Sequence, residues 1–542
     1  MHDISDLQET FELYSQLAHL SQTVCLVDVK CCKSWIQAVE ECGHSTTVLA
    51  YRTFLRLTTH HLTTVPSLPQ HLVLLKHLMA STPVDAFSAC VYYDKDADAI
   101  ELLEQGRGVF WSQLFRLRSP LDEVIASGST GKQLTEKFTQ LASLLRTVLN
   151  GPPNAESQHD RAFSLNIRLQ DIVTEIRKLP GLSRFLLPPL FSDFQIAASD
   201  GPVIIVNASR YSCDALIVLP HRDPVYIALP ITNTRVVELS MELRTLTSHA
   251  RFSDMTRGFL MFLRELWDEV VSPIAKTLQD FCARGSRIWW CPTAGFSLFP
   301  LHAAGPFRKG QPMFSDLYIS SYTPTLTALI RARQKKIPDL SIERHRFLVV
   351  GQAQAPGQRE LPSVSTELST ILQCIGSVAT LTCIQDQGAT IANVAEQFKK
   401  NGFVHLACHG IPNRKKPFES GFALADGPLK VENIMQYDWQ NAQFAYLSAC
   451  HTTVGDEESP DEVIHLAAAM QFAGLRSVIG TMWAVDDGYM NEITSKFYEY
   501  MLDESGHLDH TRAALALHRT MRNLRSSKIP FDQRILYVHI GA

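Results

Sequence analysis

From about residue 195 onward, short apolar runs rich in β-branched residues alternate with stretches of helical periodicity, and few folds accept that order. The first runs are VIIVNAS (203–209), CDALIVLP (213–220) and VYIALP (225–230), followed by RIWWCPT (287–293) and LYISSYTP (317–324). The pattern resumes with RFLVVGQ (346–352), ATLTCI (379–384), FVHLACHG (403–410), FAYLSACHT (444–452), SVIGTMWAV (477–485) and a closing ILYVHIG. Between them the spacing predicts a long helix from about Asp254 to Ala283, others near 389–400 and 461–474, and two between 487 and 526. Strands separated by helices predict an α/β fold: a mostly parallel sheet with flanking helices, in two blocks divided near 334–345.

The first 195 residues read differently. Apolar positions recur at three and four, as in Leu7, Phe11, Tyr14 and Leu17. Trp35, Ala38 and Val39, a turn at Gly43, then Tyr51, Phe54 and Leu55 fit a helix-turn-helix unit, and a third unit is expected from Leu72 through Ala99. Such pairs predict a degenerate tetratricopeptide-like array. An ordinary helical bundle satisfies the same pattern, because no strict 34-residue self-similarity is visible. The turn-forming NGPPNAESQHD (150–160) is expected to be a linker or exposed loop. The expected boundaries are 1–150 for the helical repeats, 151–194 for a helical linker, and 195–340 and 341–542 for the two α/β blocks.

Composition closes off several classes. Hydrophobic residues make up 45% of the 542 and charged ones 19%, which is globular. Fifty Lys+Arg against 55 Asp+Glu leave a net charge of −5, no footprint for a nucleic-acid backbone. The twelve Cys are scattered in a chain too large to need stapling, so reduced thiols and a cytoplasmic location are expected. The N-terminal MHDISDLQETFELYSQ is acidic where a signal peptide is basic, and no apolar stretch is long enough to span a membrane.

The densest reactive cluster is FVHLACHG with LSACHT. Each closes an apolar strand, and the C-terminal edge of an open α/β sheet is where catalytic groups collect. Gly410 after His409 turns the chain and leaves the imidazole at the rim. Cys450 ends the second run. A thiol and an imidazole at two strand ends make a Cys–His dyad, in which the imidazole takes the proton that keeps sulfur from attacking a carbonyl. Zinc is the competing chemistry for His405, Cys408, His409, Cys450 and His451. However, no Cys-x2-Cys knuckle occurs, and His405 and His409 on one strand stand about 13 Å apart. No metal and no cofactor is therefore expected. Two buried strands that merely contain Cys and His remain an alternative, and His405, deep in its strand, reads as core. ASGSTGKQL lacks the first glycine of a phosphate loop, where Ala126 stands, and the hydroxyl residue after Lys132. Cys291 with His302 lacks the His-Gly turn, and vicinal Cys31-Cys32 read as packing residues.

Residues 195–542 resemble the CHAT domain, a caspase- and separase-like cysteine peptidase module that usually follows tetratricopeptide repeats. The matching stretches are VHLACHG, YLSACHT, DEVIHLAAAMQFAGLRSVIGTMWAVDD, RIWWCPTAGFSLFPLHAAG and the terminal YVHIG. AIELLEQGRGVFWSQLFRLRSPLD resembles the last repeats leading into such domains. The resemblance implies a caspase-like fold with a pseudo-caspase half at 195–340 and an active half at 341–542. It also implies Cys450 as nucleophile, His409 as catalytic histidine, and the backbone N–H groups of Gly410 and Cys450 as oxyanion donors. It puts the loop after Trp483 beside the S1 pocket, with Asp487 first, Asp486 second and Asp456 third as the carboxylate that selects a basic P1 residue. Capping of the following helix accounts equally well for Asp486 and Asp487. The expected partners are a protein substrate and an activating protein or peptide on the helical region, with no nucleic acid and no membrane. The competing reading is a catalytically silent scaffold that binds partner proteins.

Overall fold

The computed structural model describes residues 4–19, 26–62, 78–79, 81–109, 121–149, 156–248, 255–334, 345–437, 439, 441–453 and 465–542. The chain divides into two compact units, 1–193 and 194–542.

Within the first unit the described residues are helical. Leu26–Cys42 and Thr47–Leu62 pack as a pair around buried Trp35, Val39, Tyr51 and Phe54, with the Tyr14 ring stacked 6.2 Å from Trp35. Thr82–Tyr92 pairs with Asp96–Gly106. Glu156–Arg177, inside the 151–194 segment, packs on Ser129–Leu149 through Phe138, Leu141, Leu165 and Leu169. In each pair the apolar stripe at three- and four-residue spacing is the buried face. Most of the expected third unit before Leu78, and residues 150–155 of the expected linker, lie outside the described residues.

The second unit is built on one eleven-stranded sheet. Its strands are β1 (Val203–Ala208), β2 (Cys213–Val218), β3 (Val225–Ala228), β4 (Arg287–Pro292), β5 (Ile319–Tyr322) and β6 (His345–Gly351). Next come β7 (Ala379–Gln385), β8 (Phe403–Ala407), β9 (Gly410–Ile411), β10 (Gly421–Leu424) and β11 (Gly427–Lys430). β12 (Phe444–Ser448), β13 (Ser477–Thr481) and β14 (Tyr537–Gly541) complete the set. The order is β3-β2-β1-β4-β5-β14-β13-β12-β8-β6-β7, so the two blocks read from the sequence share one sheet that joins at β5 and β14. β12 lies parallel between β8 and β13, and β8 lies parallel to β6. These central strands are buried along their whole length, as their unbroken apolar runs require.

Four details differ from the sequence expectation. The first three strands form an antiparallel meander, because the links after β1 and β2 are too short for a crossover helix. β9, β10 and β11 form a separate small sheet, with a β10–β11 hairpin that turns through Ala425-Asp426 and closes on the Leu424–Gly427 pair. The helix expected from Asp254 to Ala283 runs Met255–Leu266, passes through a π turn at Trp267–Val271 and continues as Ser272–Leu278. Pro273 has no N–H to donate to the preceding turn, and the wider turn absorbs that break. An unforeseen helix, Asn233–Ser248, buries Val236, Leu239 and Leu243.

Burial holds the imidazoles of His302, His465 and His510 down to about 4 from 6.5. Below about pH 6.5 the unfolded chain therefore takes up protons that the folded unit refuses, and stability drops as pH falls toward 4. The urea midpoint of the folded protein is expected to be lower at pH 5 than at pH 7. Equal midpoints would contradict this assignment.

Candidate active site

Adjacent parallel strands deliver the two reactive side chains to one edge. Ala407 of β8 pairs with Ser448 of β12, and His409 and Cys450 each lie two residues beyond that pair. The equal offset follows from parallel register, which keeps equivalent positions level. Beyond Ala407 strand alternation no longer applies, and Gly410 starts β9. A Cβ on Gly410 would meet the Cys450 carbonyl oxygen at 2.1 Å. Only glycine permits that approach, so the His-Gly and Cys segments are in backbone contact.

The Cys450 sulfur is bracketed by the backbone of one residue, Val485. The Val485 N–H donates to Sγ at 3.3 Å, and the thiol points to the Val485 carbonyl at 3.8 Å. Burial pushes the Cys450 thiol up from its ordinary value, and the Asp487 carboxylate adds to the shift. The resting sulfur is therefore a thiol that must lose its proton as it attacks. Cys408, two residues into the core from the rim, is pushed further, to about 12, mainly by burial, and behaves as an inert core thiol.

His409 is half-buried and donates from Nε2 to the Arg359 carbonyl at 2.5 Å. This bond fixes the tautomer with the proton on Nε2 and leaves Nδ1 as the acceptor nitrogen. The imidazole and the thiol are not hydrogen-bonded to each other. His451 takes a left-handed backbone, φ 56°, which costs a non-glycine residue energy and collects at functional turns. Its N–H donates to the Trp483 carbonyl at 3.4 Å, and Thr453 N–H to that of Thr481 at 3.1 Å, tying the turn to the end of β13.

Behind the rim lies a buried polar cluster. Glu367, from helix Val364–Ile375, is 2% exposed and accepts from the Ser448 and Thr494 hydroxyls at 2.7 Å each. His405 Nε2 stands 3.2 Å from the same carboxylate oxygen, while Nδ1 meets the Tyr498 hydroxyl at 3.0 Å and the ring stacks on Tyr446. His405 is thus core, with Nδ1 hydrogen-bonded inside and Nε2 beside the Glu367 carboxylate without a hydrogen bond to it. The Arg359 carbonyl and Glu367 both escaped the sequence reading. A backbone acceptor leaves no signature, whereas an acid on the apolar face of STELSTIL was a usable signal.

The acidic candidates separate. Asp486 is exposed and caps helix Asp487–Met501, its Oδ1 accepting from Gly488 N–H at 2.9 Å. Asp487 is half-buried, accepts from Ser363 N–H at 2.9 Å and lies close enough to Cys450 to raise its thiol. Asp456 lies outside the described residues. Cys291 and His302 have separate partners: the thiol points to the Pro324 carbonyl, while the ring binds the Tyr322 hydroxyl at 2.9 Å and the Ile535 carbonyl at 3.0 Å. Among the described residues no group of three or more His, Cys, Asp or Glu side chains could hold a metal ion. Among them, too, no helix is long and apolar enough to cross a membrane.

Comparison with known proteins places this edge in context. The CHAT domain family model matches residues 260–537. No curated protein matches the chain. Among solved structures, the Saccharomyces cerevisiae separase–securin complex is similar over 99% of this chain, with a TM-score of 0.45 and 10% identity. The chain spans about half of that separase, 52%. The Porphyromonas gingivalis RgpB pro- and mature-domain complex is similar over 53% of this chain and 68% of its own, with a TM-score of 0.32 and 10% identity. The Arg-specific cysteine proteinase gingipain R is similar over 57% of this chain and 74% of its own, again with a TM-score of 0.32 and 10% identity.

Proposed function

The chain belongs to the CHAT domain family, and from that premise we propose that it is a cysteine endopeptidase working through Cys450 and His409. The observation that carries the proposal is the contact of Gly410 with the Cys450 backbone, which joins two strand ends bearing an imidazole and a thiol at equal offset. Nδ1 of His409 accepts the thiol proton as sulfur attacks the scissile carbonyl, and the imidazolium then protonates the leaving amine. The Arg359 carbonyl orients the ring, a task that a carboxylate performs in many triads. The N–H groups of Gly410 and Cys450 supply the oxyanion donors. Water then cleaves the thioester and restores the thiol.

For specificity, Asp487 is the stronger candidate for a basic P1 residue, because Asp486 is spent on the helix cap. A half-buried carboxylate near the nucleophile favours a guanidinium that can bind it through two hydrogen bonds. The N-terminal helix pairs suit binding of an activating protein or peptide, and the reaction needs neither metal nor cofactor. Peptide-library profiling is expected to give a preference for Arg or Lys at P1. The Asp487→Asn variant should lose most of that preference, by about 10²-fold or more. It should also alkylate faster at Cys450 at neutral pH, because the charge that raises the thiol is gone. An Arg preference unchanged in Asp487→Asn would remove the residue from the pocket.

A further inference from the structure

A cavity of about 420 Å³ lies along the joint between the two halves of the sheet, with β5 and β14 on one side and helix Ala513–Asn523 on the other. Its walls are largely apolar, with Leu517 and Met521 facing Tyr322 and Val538. Three arginines, Arg522, Arg525 and Arg534, also line it, and no Asp or Glu does. Arg525 is already held by Asp316 at 2.6 Å. Arg522 makes no ion pair among the described residues. Among the described residues Arg534 hydrogen-bonds the Leu524 carbonyl at 3.4 Å and lies 5.8 Å from the centroid of the Phe531 ring, while its buried Nε has no hydrogen-bond partner. Burial first, and then the charge of Arg525, pulls the Arg534 pKa down, with the Asp532 carboxylate opposing the shift. Next to it His518 is lowered to about 4 by burial and by Arg522 and Arg525, and stays neutral. A pocket of this volume, apolar with a few convergent donors, has the size and make-up of a small-molecule site.

The wall of this cavity continues into the candidate active site. Gln533, between lining residues Phe531 and Arg534, accepts from Asp486 N–H at 2.8 Å and donates to the Ala484 carbonyl at 3.4 Å. Leu536 accepts from Met482 N–H at 2.9 Å. Between those anchors sits Val485, the residue that brackets the Cys450 sulfur.

We propose that the cavity binds a small molecule with an apolar body and a single carboxylate or phosphate head, and that occupancy holds the 482–486 segment and so lowers the accessibility of Cys450. The head group pairs with the exposed Arg522 and meets the unpartnered Nε of Arg534, and the body fills the space under Leu517. The binding half stands on the cavity alone; the control half rests on the assignment of Cys450 as the reactive thiol.

Titration of the full chain with decanoate, decyl phosphate and decanol separates the possibilities. Both anions are expected to bind at least about tenfold more tightly than the alcohol, as charge-assisted bonds to guanidinium imply. The better of the two names the head group. The double variant Arg522→Gln/Arg534→Gln should bring the anions down to the level of decanol, and Leu517→Trp, checked for folding by circular dichroism, should abolish all three. Equal binding of decanol and the anions, or anion binding that survives both variants, overturns the site. Saturating anion is expected to slow iodoacetamide labelling of Cys450, followed by peptide mass spectrometry, about fivefold or more. Binding without any change in that rate overturns the coupling. Because labelling reads the thiol and not hydrolysis, a slowed rate in a protein that cleaves nothing would sustain this proposal while the peptidase assignment fell.

Discussion

Replacing His409 by alanine is expected to cut peptide-bond hydrolysis by about 10²- to 10⁴-fold while the protein stays folded. The size follows from the state of the sulfur. Burial and Asp487 keep Cys450 protonated at rest, so a proton acceptor is needed during attack and a proton donor during departure of the amine. His409 is the imidazole at the rim, with Nδ1 left open by the bond from Nε2 to the Arg359 carbonyl. His451 is adjacent to the nucleophile but is engaged in the left-handed turn after it, and His451→Ala should retain most of the activity. Steady-state kinetics on the best peptide from the library checks both variants. Full turnover in a folded His409→Ala protein would leave the mechanism without its acid and base.

Glu367→Ala is expected to destabilise the 194–542 unit by about 3–5 kcal/mol, the largest stability effect foreseen for a single side chain. One carboxylate satisfies the Ser448 and Thr494 hydroxyls and stands 3.2 Å from His405, all of them buried. Alanine leaves a cavity, takes the acceptor from two buried hydroxyls and removes the carboxylate beside His405. Glu367→Gln keeps the shape and one acceptor oxygen and should lose only about 1 kcal/mol. Ser448 lies two residues before Cys450 on β12, so loosening the cluster should also misplace the nucleophile. Urea unfolding of the two variants measures the difference. Equal, small losses would mean that the cluster contributes little.

Much of this architecture was legible because it is written in side-chain periodicity. Unbroken apolar runs such as Phe403–Ala407 and Phe444–Ser448 read as central strands, and His409-Gly410 and Cys450 just beyond them mark the edge where the proposed dyad lies. The antiparallel meander of β1 to β3 is set by the short links after β1 and β2 and not by the apolar runs themselves. The small sheet of β9 to β11 is not legible in the sequence, because two- and four-residue strands carry almost no pattern. What fixes the site most closely is invisible in residue types: a carbonyl at Arg359, the backbone N–H and C=O of Val485, and the approach of Gly410 to the Cys450 backbone. The split between Asp486 and Asp487 likewise depends on which carboxylate the helix end consumes.

The most direct measurement is a search for new protein N-termini in a cell lysate treated with the wild-type chain or with Cys450→Ala. The account predicts a set of cleavages, most of them after Arg or Lys, that the wild type generates and the Cys450→Ala protein does not. An identical set of N-termini from the two proteins would contradict it and leave the CHAT domain here as a binding scaffold.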